Sequence, residues 1–172
     1  MRAFFSLRVS FRFGLRTPLC RSSASYPVTI GSSCSLPLKS LEFIAHAYKE
    51  NSSVRSAIEG ERNIQGFFTA YLSVNAYYLT APEMELNHGY CDLFLMPDLL
   101  RYEVKHSYIL ELKYLSAKDS GEKAKVQWEE AVEQIKQYAA APKVRQLIQD
   151  TKLHCIIMQF RGCELERMEE VL

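Results

Sequence analysis

The sequence predicts an α/β fold in which helices flank a mixed central sheet. Apolar residues at Leu41, Ile44, Ala45 and Tyr48 have the three- and four-residue spacing of a helix. Three strand-type segments then follow one another with short connections, which predicts an antiparallel meander. A later helical stripe and a last apolar run complete the order helix, three-strand meander, helix, strand.

The part of the chain before the meander predicts two helices. The first begins at about Ser40, and Asn51 and the serines after it end the pattern. Ser52 or Ser53 suits the N-cap of the second helix, because a serine hydroxyl can accept a hydrogen bond from the first turn. This second helix is expected to run to about Val74.

The meander is predicted to contain strands at residues 76–86, 90–96 and 107–115. Asn87-His88-Gly89 has the composition of a tight turn between the first two strands. A longer link, residues 99–106, separates the second strand from the third. We therefore expect a hairpin with the third strand beside it.

The second half of the chain predicts two helices and one strand. Residues 118–123 form a polar loop, and a helix is expected at about 125–140. Pro142 ends that helix and starts a short one that reaches about Asp150. Residues 153–160 have the continuous apolar character of a buried strand. The acidic end of the chain is then expected to fray.

The first forty residues differ from the rest in charge. They hold six of the 21 basic residues and none of the 20 acidic ones, which leaves 15 basic and 20 acidic residues, a net charge of −5, in the remainder. An organellar transit peptide, a disordered tail and a truncated or mis-started reading frame all fit this leader. We treat residues 1–39 as a disordered or artefactual leader and residues 40–172 as one domain. The net negative charge of the domain argues against strong binding of nucleic acid by this domain alone.

Composition excludes several other classes of protein. The five cysteines, an odd number without a CxxC pair, favour reduced thiols and a cytoplasmic location over a disulfide framework. No apolar stretch approaches the ~20 residues that cross a bilayer, so no membrane contact is expected. The chain has no GxxxxGK[ST] phosphate loop, so any step that needs ATP must come from elsewhere.

Two of the predicted strands carry charges where apolar residues are expected. Side chains alternate across a strand, so Glu111 and Lys113 share one face. By the same rule Asp92 shares a face with Phe94, Cys91 points to the opposite one, and antiparallel pairing can bring Asp92 beside Glu111. Paired carboxylates at this spacing suit Mg²⁺ or Mn²⁺. An exposed Glu111–Lys113 pair on a half-solvated strand is the other interpretation, and these residues alone leave both open.

Asp92 followed by Glu111-Leu112-Lys113 at the end of an apolar strand resembles the signature of the PD-(D/E)xK nucleases, which implies a restriction-endonuclease-like core. A cysteine stands where the family name has proline. The likeness is closest to the domain that lies C-terminal to an AAA-ATPase-like module in bacterial proteins, and it covers about Leu41 to Val171. The segments that carry it are "ERNIQGFFTAYL", "GYCDLFL", "YILELKYL" and "EAVEQIKQY".

The resemblance implies a metal-dependent nuclease that hydrolyses phosphodiester bonds of nucleic acid, with DNA the expected substrate. Asp92 and Glu111 would coordinate Mg²⁺ or Mn²⁺, and the backbone carbonyl of Leu112 would be a further ligand. Lys113 would orient or help to deprotonate the attacking water and stabilise charge at the phosphate. Glu61, in the helix before the meander, would be an additional acidic metal contact.

The resemblance extends to a QxxxY element in the helix after the meander. Gln134 and Tyr138 lie one turn apart and would face the site together. For Glu61, Gln134 and Tyr138 structural alternatives remain: an exposed acid, a helix-edge amide and a core aromatic. The implied partners are nucleic acid and an AAA-ATPase-like module in the same or a neighbouring chain. The alternative function is an inactive nuclease-fold module that binds nucleic acid or that ATPase module.

Overall fold

A computed structural model describes residues 38–52, 60–86 and 89–172. Residues 1–37 of the predicted leader, the candidate cap Ser53 and the turn residues Asn87 and His88 lie outside the described residues. In the described ranges, no helix is long and apolar enough to cross a membrane.

The described residues form four helices and five strands. In chain order they are α1 (Leu38–Asn51), α2 (Glu61–Leu72), β1 (Tyr78–Leu86), β2 (Gly89–Pro97), β3 (His106–Leu115), α3 (Gly121–Ala139), α4 (Pro142–Ile148), β4 (Lys152–Arg161) and β5 (Glu164–Glu170).

The five strands form one sheet in the spatial order β1-β2-β3-β4-β5. The pairs β1–β2 and β2–β3 are antiparallel, so the predicted meander is confirmed. The pair β3–β4 is parallel, and its crossover contains α3 and α4. An antiparallel β5 closes the far edge. The predicted mixed sheet flanked by helices is therefore the observed architecture.

Two apolar clusters cover the two faces of the sheet. Leu41 of α1 and Phe68 of α2 belong to the first cluster, together with Leu110 of β3. Trp128 of α3 belongs to the second cluster, together with Ile109 of β3. Because side chains alternate along a strand, the odd-numbered positions of β3 face α3 and α4. Glu111 and Lys113 are thereby directed to the face that α3 covers.

The second predicted helix ends earlier than expected, and the start predicted for it borders residues 53–59, which lie outside the described residues. Helix α2 begins at Glu61 after Gly60, whose φ is 57°, and it ends at Leu72 rather than at Val74. The N-cap position of α2 is Gly60. The Ser52 hydroxyl instead donates to the Tyr48 carbonyl at 2.6 Å and so satisfies an acceptor at the end of α1.

The helices after the meander also differ at their ends. Helix α3 begins at Gly121, four residues before the predicted start, because the Ser120 hydroxyl accepts a hydrogen bond from the Lys123 amide. Helix α4 ends at Ile148, and Gln149 has a positive φ of 49° that stops the helix before Asp150.

The prediction of a frayed acidic end was wrong. Residues Glu164–Glu170 form β5, which pairs with β4 across the turn at Gly162. Gly162 has a φ of 61°, and its amide donates to the Leu115 carbonyl at 2.8 Å. The partly buried apolar residues of β5 are Leu165 and Met168, three positions apart, because the ladder shifts between Gln159 and Phe160. An edge strand with this break lacks the simple alternation that marks a strand in sequence.

Candidate active site

The pairing of β2 with β3 ends where the two acids of the motif begin. The ladder contains Leu93 opposite Leu110 and two further pairs, and its register would place Asp92 opposite Glu111. The ladder does not continue to that pair. Instead, Asp92 Oδ2 accepts a hydrogen bond from the Leu112 amide at 2.6 Å. The Leu112 amide of β3 is thus bonded to the Asp92 side chain instead of to a backbone carbonyl of β2, at the point where the β2–β3 ladder ends.

The alternation of faces along β2 breaks at Asp92. Cys91 and Phe94 both belong to the cluster under α3, although three positions separate them, whereas Leu93 belongs to the other cluster. Cys91 is buried as expected, but the prediction that it points away from the face of Phe94 was wrong. Glu83 and Asp92 form no pair in the β1–β2 ladder, although the pairs on either side would place them opposite each other, and Glu83 has a φ of 50°. This irregularity of the ladder is the physical reason for the change of face.

Glu111 is buried at the centre of the site. Its side chain is 2% exposed, and Oε1 accepts a hydrogen bond at 2.7 Å from the ammonium of Lys113, which is 14% exposed. The second oxygen, Oε2, is buried and has no hydrogen-bond partner among the described residues. The interpretation of Glu111 and Lys113 as an exposed strand pair is therefore wrong. A buried carboxylate oxygen without a partner is costly unless a cation or a proton approaches it.

Burial and neighbouring acids raise the pKa of both carboxyl groups of the motif. Burial, followed by the charge of Glu111, raises the pKa of Asp92 to about 7. The hydrogen bond from the Leu112 amide favours the ionised form and lowers this pKa, but by less. Burial also raises the pKa of Glu111, and Lys113 only partly offsets this. For Lys113, burial is the largest single influence and lowers the pKa, but the charge and hydrogen bond of Glu111, together with the charges of Asp92 and Glu61, raise the net pKa above its usual value. One lysine therefore does not neutralise the site.

Glu61 contributes to this electrostatic field from the start of α2. Its negative charge raises the pKa of both Asp92 and Glu111. Gln65, one turn further along α2, donates from Nε2 to the Asp92 carbonyl at 2.9 Å. This bond fixes α2 against the motif strand. Sequence reasoning missed Gln65, although its i+4 spacing from Glu61 places both on one helix face.

The structure brings only one member of the QxxxY element into contact with the motif strand. Tyr138 is buried, and its hydroxyl donates to the Tyr90 carbonyl at 3.1 Å. Burial, and then the charge of Glu111, raises the pKa of Tyr138. Gln134 lies on the exposed side of α3. Its predicted role at the site stays a prediction.

Two glutamines, Gln127 and Gln159, connect α3 to the neighbouring strands β3 and β4. Gln159 of β4 stands beside Lys113 in the parallel ladder and is buried. Its amide donates to Gln127 Oε1 at 3.0 Å and to the Ala124 carbonyl at 2.9 Å. Gln127 in turn donates to the Tyr114 carbonyl at 3.1 Å. Sequence reasoning missed both residues. The available signal was Gln159, an amide within the apolar run of the last predicted strand.

The donor set fits a hard divalent ion through two side chains. No three His, Cys, Asp or Glu side chains in residues 38–52, 60–86 and 89–172 are gathered closely enough to hold an ion. Asp92 and Glu111 nevertheless offer carboxylate oxygens, one of them buried without a partner. Oxygen donors of this kind suit Mg²⁺ and Mn²⁺, which keep several water ligands and need few from the protein.

The fold and the site together define a restriction-endonuclease-like α/β core with two acids and a lysine at a strand separation. The model for the PD-(D/E)XK nuclease superfamily matches residues 59–170, and the chain belongs to this superfamily. Searches of curated proteins and of solved structures gave no match. The superfamily inferred from the motifs is confirmed, and the association with an AAA-ATPase-like module stays a prediction.

Gly89 tests the packing of Tyr138 against the motif strand. A Cβ at residue 89 would lie 2.9 Å from both Cε1 and the hydroxyl oxygen of Tyr138, which is buried and bonded to Tyr90. We expect Gly89→Ala to lower the free energy of unfolding by about 1–3 kcal/mol, measured by urea denaturation. Gly66→Ala is the control, because nothing lies within 4 Å of its Cβ. It should stabilise α2 by about 1 kcal/mol. Equal stability of both variants would contradict the packing argument.

Proposed function

We propose that this protein is a metal-dependent nuclease that hydrolyses phosphodiester bonds. The observation that carries the proposal is the buried Glu111 carboxylate, which has one oxygen on Lys113 and the other without a partner. Asp92 lies beside it, held by the Leu112 amide. Membership of the PD-(D/E)XK nuclease superfamily supports the reaction class, because its nucleases are typically dependent on divalent metal.

Asp92 and Glu111 are the proposed ligands of Mg²⁺ or Mn²⁺, with the backbone carbonyl of Leu112 and with Glu61 as further contacts. The raised pKa values of Asp92 and Glu111 describe a cluster in which negative charges repel and are incompletely compensated. A divalent cation would relieve that repulsion. When bound, it would supply an activated water and neutralise charge on the phosphate.

The chain's own residues would position the reactants. Lys113 keeps its proton, because Glu111 raises its pKa, so its ammonium is suited to orienting the attacking water and to stabilising charge on the phosphate oxygens. Tyr138 fixes the start of β2 through the Tyr90 carbonyl. Gln127 fixes the end of β3 through the Tyr114 carbonyl. The two strand segments that bear the acids are thus held from α3.

DNA is the proposed substrate, and a second module is the proposed source of affinity. The body after the leader carries a net charge of −5, so the domain itself offers limited attraction to a polyanion. Tyr90 is 63% exposed two residues before Asp92 and offers a ring on which a base can stack. Tethering to an AAA-ATPase-like module would raise the effective substrate concentration at a weakly binding nuclease.

The experiment is a cleavage assay of the full chain on labelled single- and double-stranded DNA and RNA, with Mg²⁺, Mn²⁺ or chelator. We expect cleavage of DNA that requires the ion. Asp92→Asn should lower the rate by about 100-fold or more, because a ligand oxygen contributes several kcal/mol of transition-state stabilisation. Glu130→Gln, an exposed acid on α3, is the control and should cut like the wild type.

The second candidate is a nuclease-fold module that binds without cutting. The observation that favours it is the Lys113–Glu111 hydrogen bond, which occupies one oxygen of the proposed ligand. This candidate predicts DNA or ATPase-module binding with no ion-dependent cleavage by the wild type. Cleavage that Asp92→Asn removes would exclude it, and binding without cleavage would overturn the nuclease proposal.

A further inference from the structure

A second cluster of ionisable side chains lies at the opposite end of the parallel strands. His106 is the first residue of β3, His154 belongs to β4 and Glu170 ends β5. Glu111 is five residues further along β3 than His106, which corresponds to about 16 Å at the rise of a strand. The cluster is therefore separate from the proposed nuclease centre.

The three side chains form one hydrogen-bonded line across three strands. His154 Nδ1 lies 2.8 Å from Glu170 Oε1, and His154 Nε2 lies 2.9 Å from His106 Nδ1. The His154 side chain is 12% exposed. The ring of Tyr108 stacks on His154 with centroids 5.0 Å apart and planes at 18°, which fixes the orientation of the imidazole.

The protons in this line follow from the donor and acceptor chemistry. Ionised Glu170 can only accept, so His154 carries its proton on Nδ1 and presents the lone pair of Nε2 towards His106. A carboxylate that accepts from the far nitrogen of a histidine is the usual arrangement behind a metal-ligating imidazole, because it fixes the tautomer and raises the basicity of the ligand.

We propose that His106 and His154 form a two-imidazole site for a divalent transition-metal ion of the Zn²⁺ class, with Glu170 orienting His154. His106 would move its proton from Nδ1 to Nε2, so that both facing nitrogens offer lone pairs and no proton is lost. Two nitrogens on a tetrahedral Zn²⁺ lie about 3.3 Å apart, from a Zn–N bond of about 2.0–2.1 Å. From the observed 2.9 Å the two rings must move apart by a few tenths of an ångström and turn so that both lone pairs point to the ion, and water would fill the remaining positions.

The neutral form of His106 suits this role. Burial, and then the neighbouring His154, lowers the pKa of His106. Lys152 and Lys105 also lower it, and their charges act against a bound cation. Replacing Lys152 by glutamine should therefore raise the affinity for Zn²⁺, whereas His106→Asn should lower it.

The ligand chemistry separates this site from the carboxylate site. Imidazole suits Zn²⁺, Ni²⁺ and Cu²⁺, whereas Mg²⁺ takes oxygen ligands. An ion on His106 and His154 would also join β3 to β4, and through Glu170 it would be supported by β5. Since it binds the folded state, it should raise the thermal midpoint, and the rise should continue with the logarithm of the ion concentration above the dissociation constant.

The test is a calorimetric titration of the full chain with Zn²⁺ in excess Mg²⁺, repeated with Co²⁺ so that visible absorption reports nitrogen ligation. We expect a Zn²⁺ event that His106→Asn removes and that Glu111→Gln leaves in place. Glu170→Gln should weaken it by about 10–100-fold. It keeps both imidazoles and provides the test if His106→Asn fails to fold, as judged by circular dichroism.

Three results would overturn the proposal. The first is Zn²⁺ binding that survives His106→Asn unchanged, since the ion would then sit on other side chains. The second is Zn²⁺ binding that disappears with Glu111→Gln, which would place the ion at the acids. The third is a failure of the expected affinities: either the wild type binds no Zn²⁺, or neither Glu170→Gln nor Lys152→Gln changes the Zn²⁺ affinity.

Discussion

Replacing Glu111 by glutamine is expected to abolish divalent-ion binding and phosphodiester hydrolysis together. The substitution keeps the shape of a side chain that is 2% exposed and removes the charge from the oxygen that has no partner. We expect the Mn²⁺ affinity and the cleavage rate each to fall by about 100-fold or more, since a metal–carboxylate contact is worth several kcal/mol. Calorimetry with Mn²⁺ and Ca²⁺, followed by a cleavage assay, measures both.

Fold integrity is the necessary control for this variant. Glutamine removes the cost of burying a carboxylate, but it leaves the Lys113 ammonium, which is 14% exposed, without its main counter-charge. The free energy of unfolding without metal should therefore fall, by no more than about 3 kcal/mol. Glu130→Gln changes an exposed acid on α3 and should keep wild-type Mn²⁺ affinity. Wild-type Mn²⁺ affinity in the folded Glu111→Gln protein would contradict the assignment of Glu111 as a ligand.

Replacing Lys113 by methionine is expected to destabilise the metal-free protein by about 3 kcal/mol. The change leaves the carboxylate of Glu111 buried, with neither oxygen bonded to a cation. Removing one partner of a buried ion pair typically costs about 3–5 kcal/mol, and uptake of a proton by Glu111 limits the loss. The measurement is denaturation in guanidinium chloride or urea at neutral pH with a chelator present.

A double variant separates the unpaired charge from lost packing. Adding Glu111→Gln to Lys113→Met removes the buried charge, so most of the lost stability should return. The exposed pair Lys136–Glu133, at 3.3 Å, gives a matched control, and Lys136→Met should change stability by less than about 0.5 kcal/mol. If the double variant is as unstable as Lys113→Met, the destabilisation comes from packing and the buried-charge argument fails.

The local pattern of the chain was enough to predict most elements and the order of the motif. Periods of two and of about 3.6 residues predicted the meander, the helices around it and the shared face of Glu111 and Lys113, because these periods follow from backbone geometry alone. The resemblance carried by the strand acids predicted the superfamily. Boundaries depended on single capping contacts, such as that of Ser120, and were less accurate.

The burial of Glu111 and the position of Asp92 depend on contacts between residues that are distant in sequence, which the local hydrophobic pattern does not contain. Whether Glu111 is exposed or buried depends on α3 covering its face of the sheet, which the alternation of β3 does not specify. The position of Asp92 depends on the positive φ of Glu83 across the ladder and on the Leu112 amide. These partners are distant in sequence, so no local period reveals them.

The chain by itself therefore determined the kind of fold, the superfamily and the candidate acids and lysine. Only the tertiary structure decided that Glu111 is buried with an unpartnered oxygen, that Gln65 and Gln127 hold the site's strands, and that β5 closes the sheet. The physical reason is that sequence periodicity gives the direction of a side chain only where the element is regular, and β2 departs from regularity at Asp92. The charge, burial and hydrogen bonding around it depend on the elements that pack there.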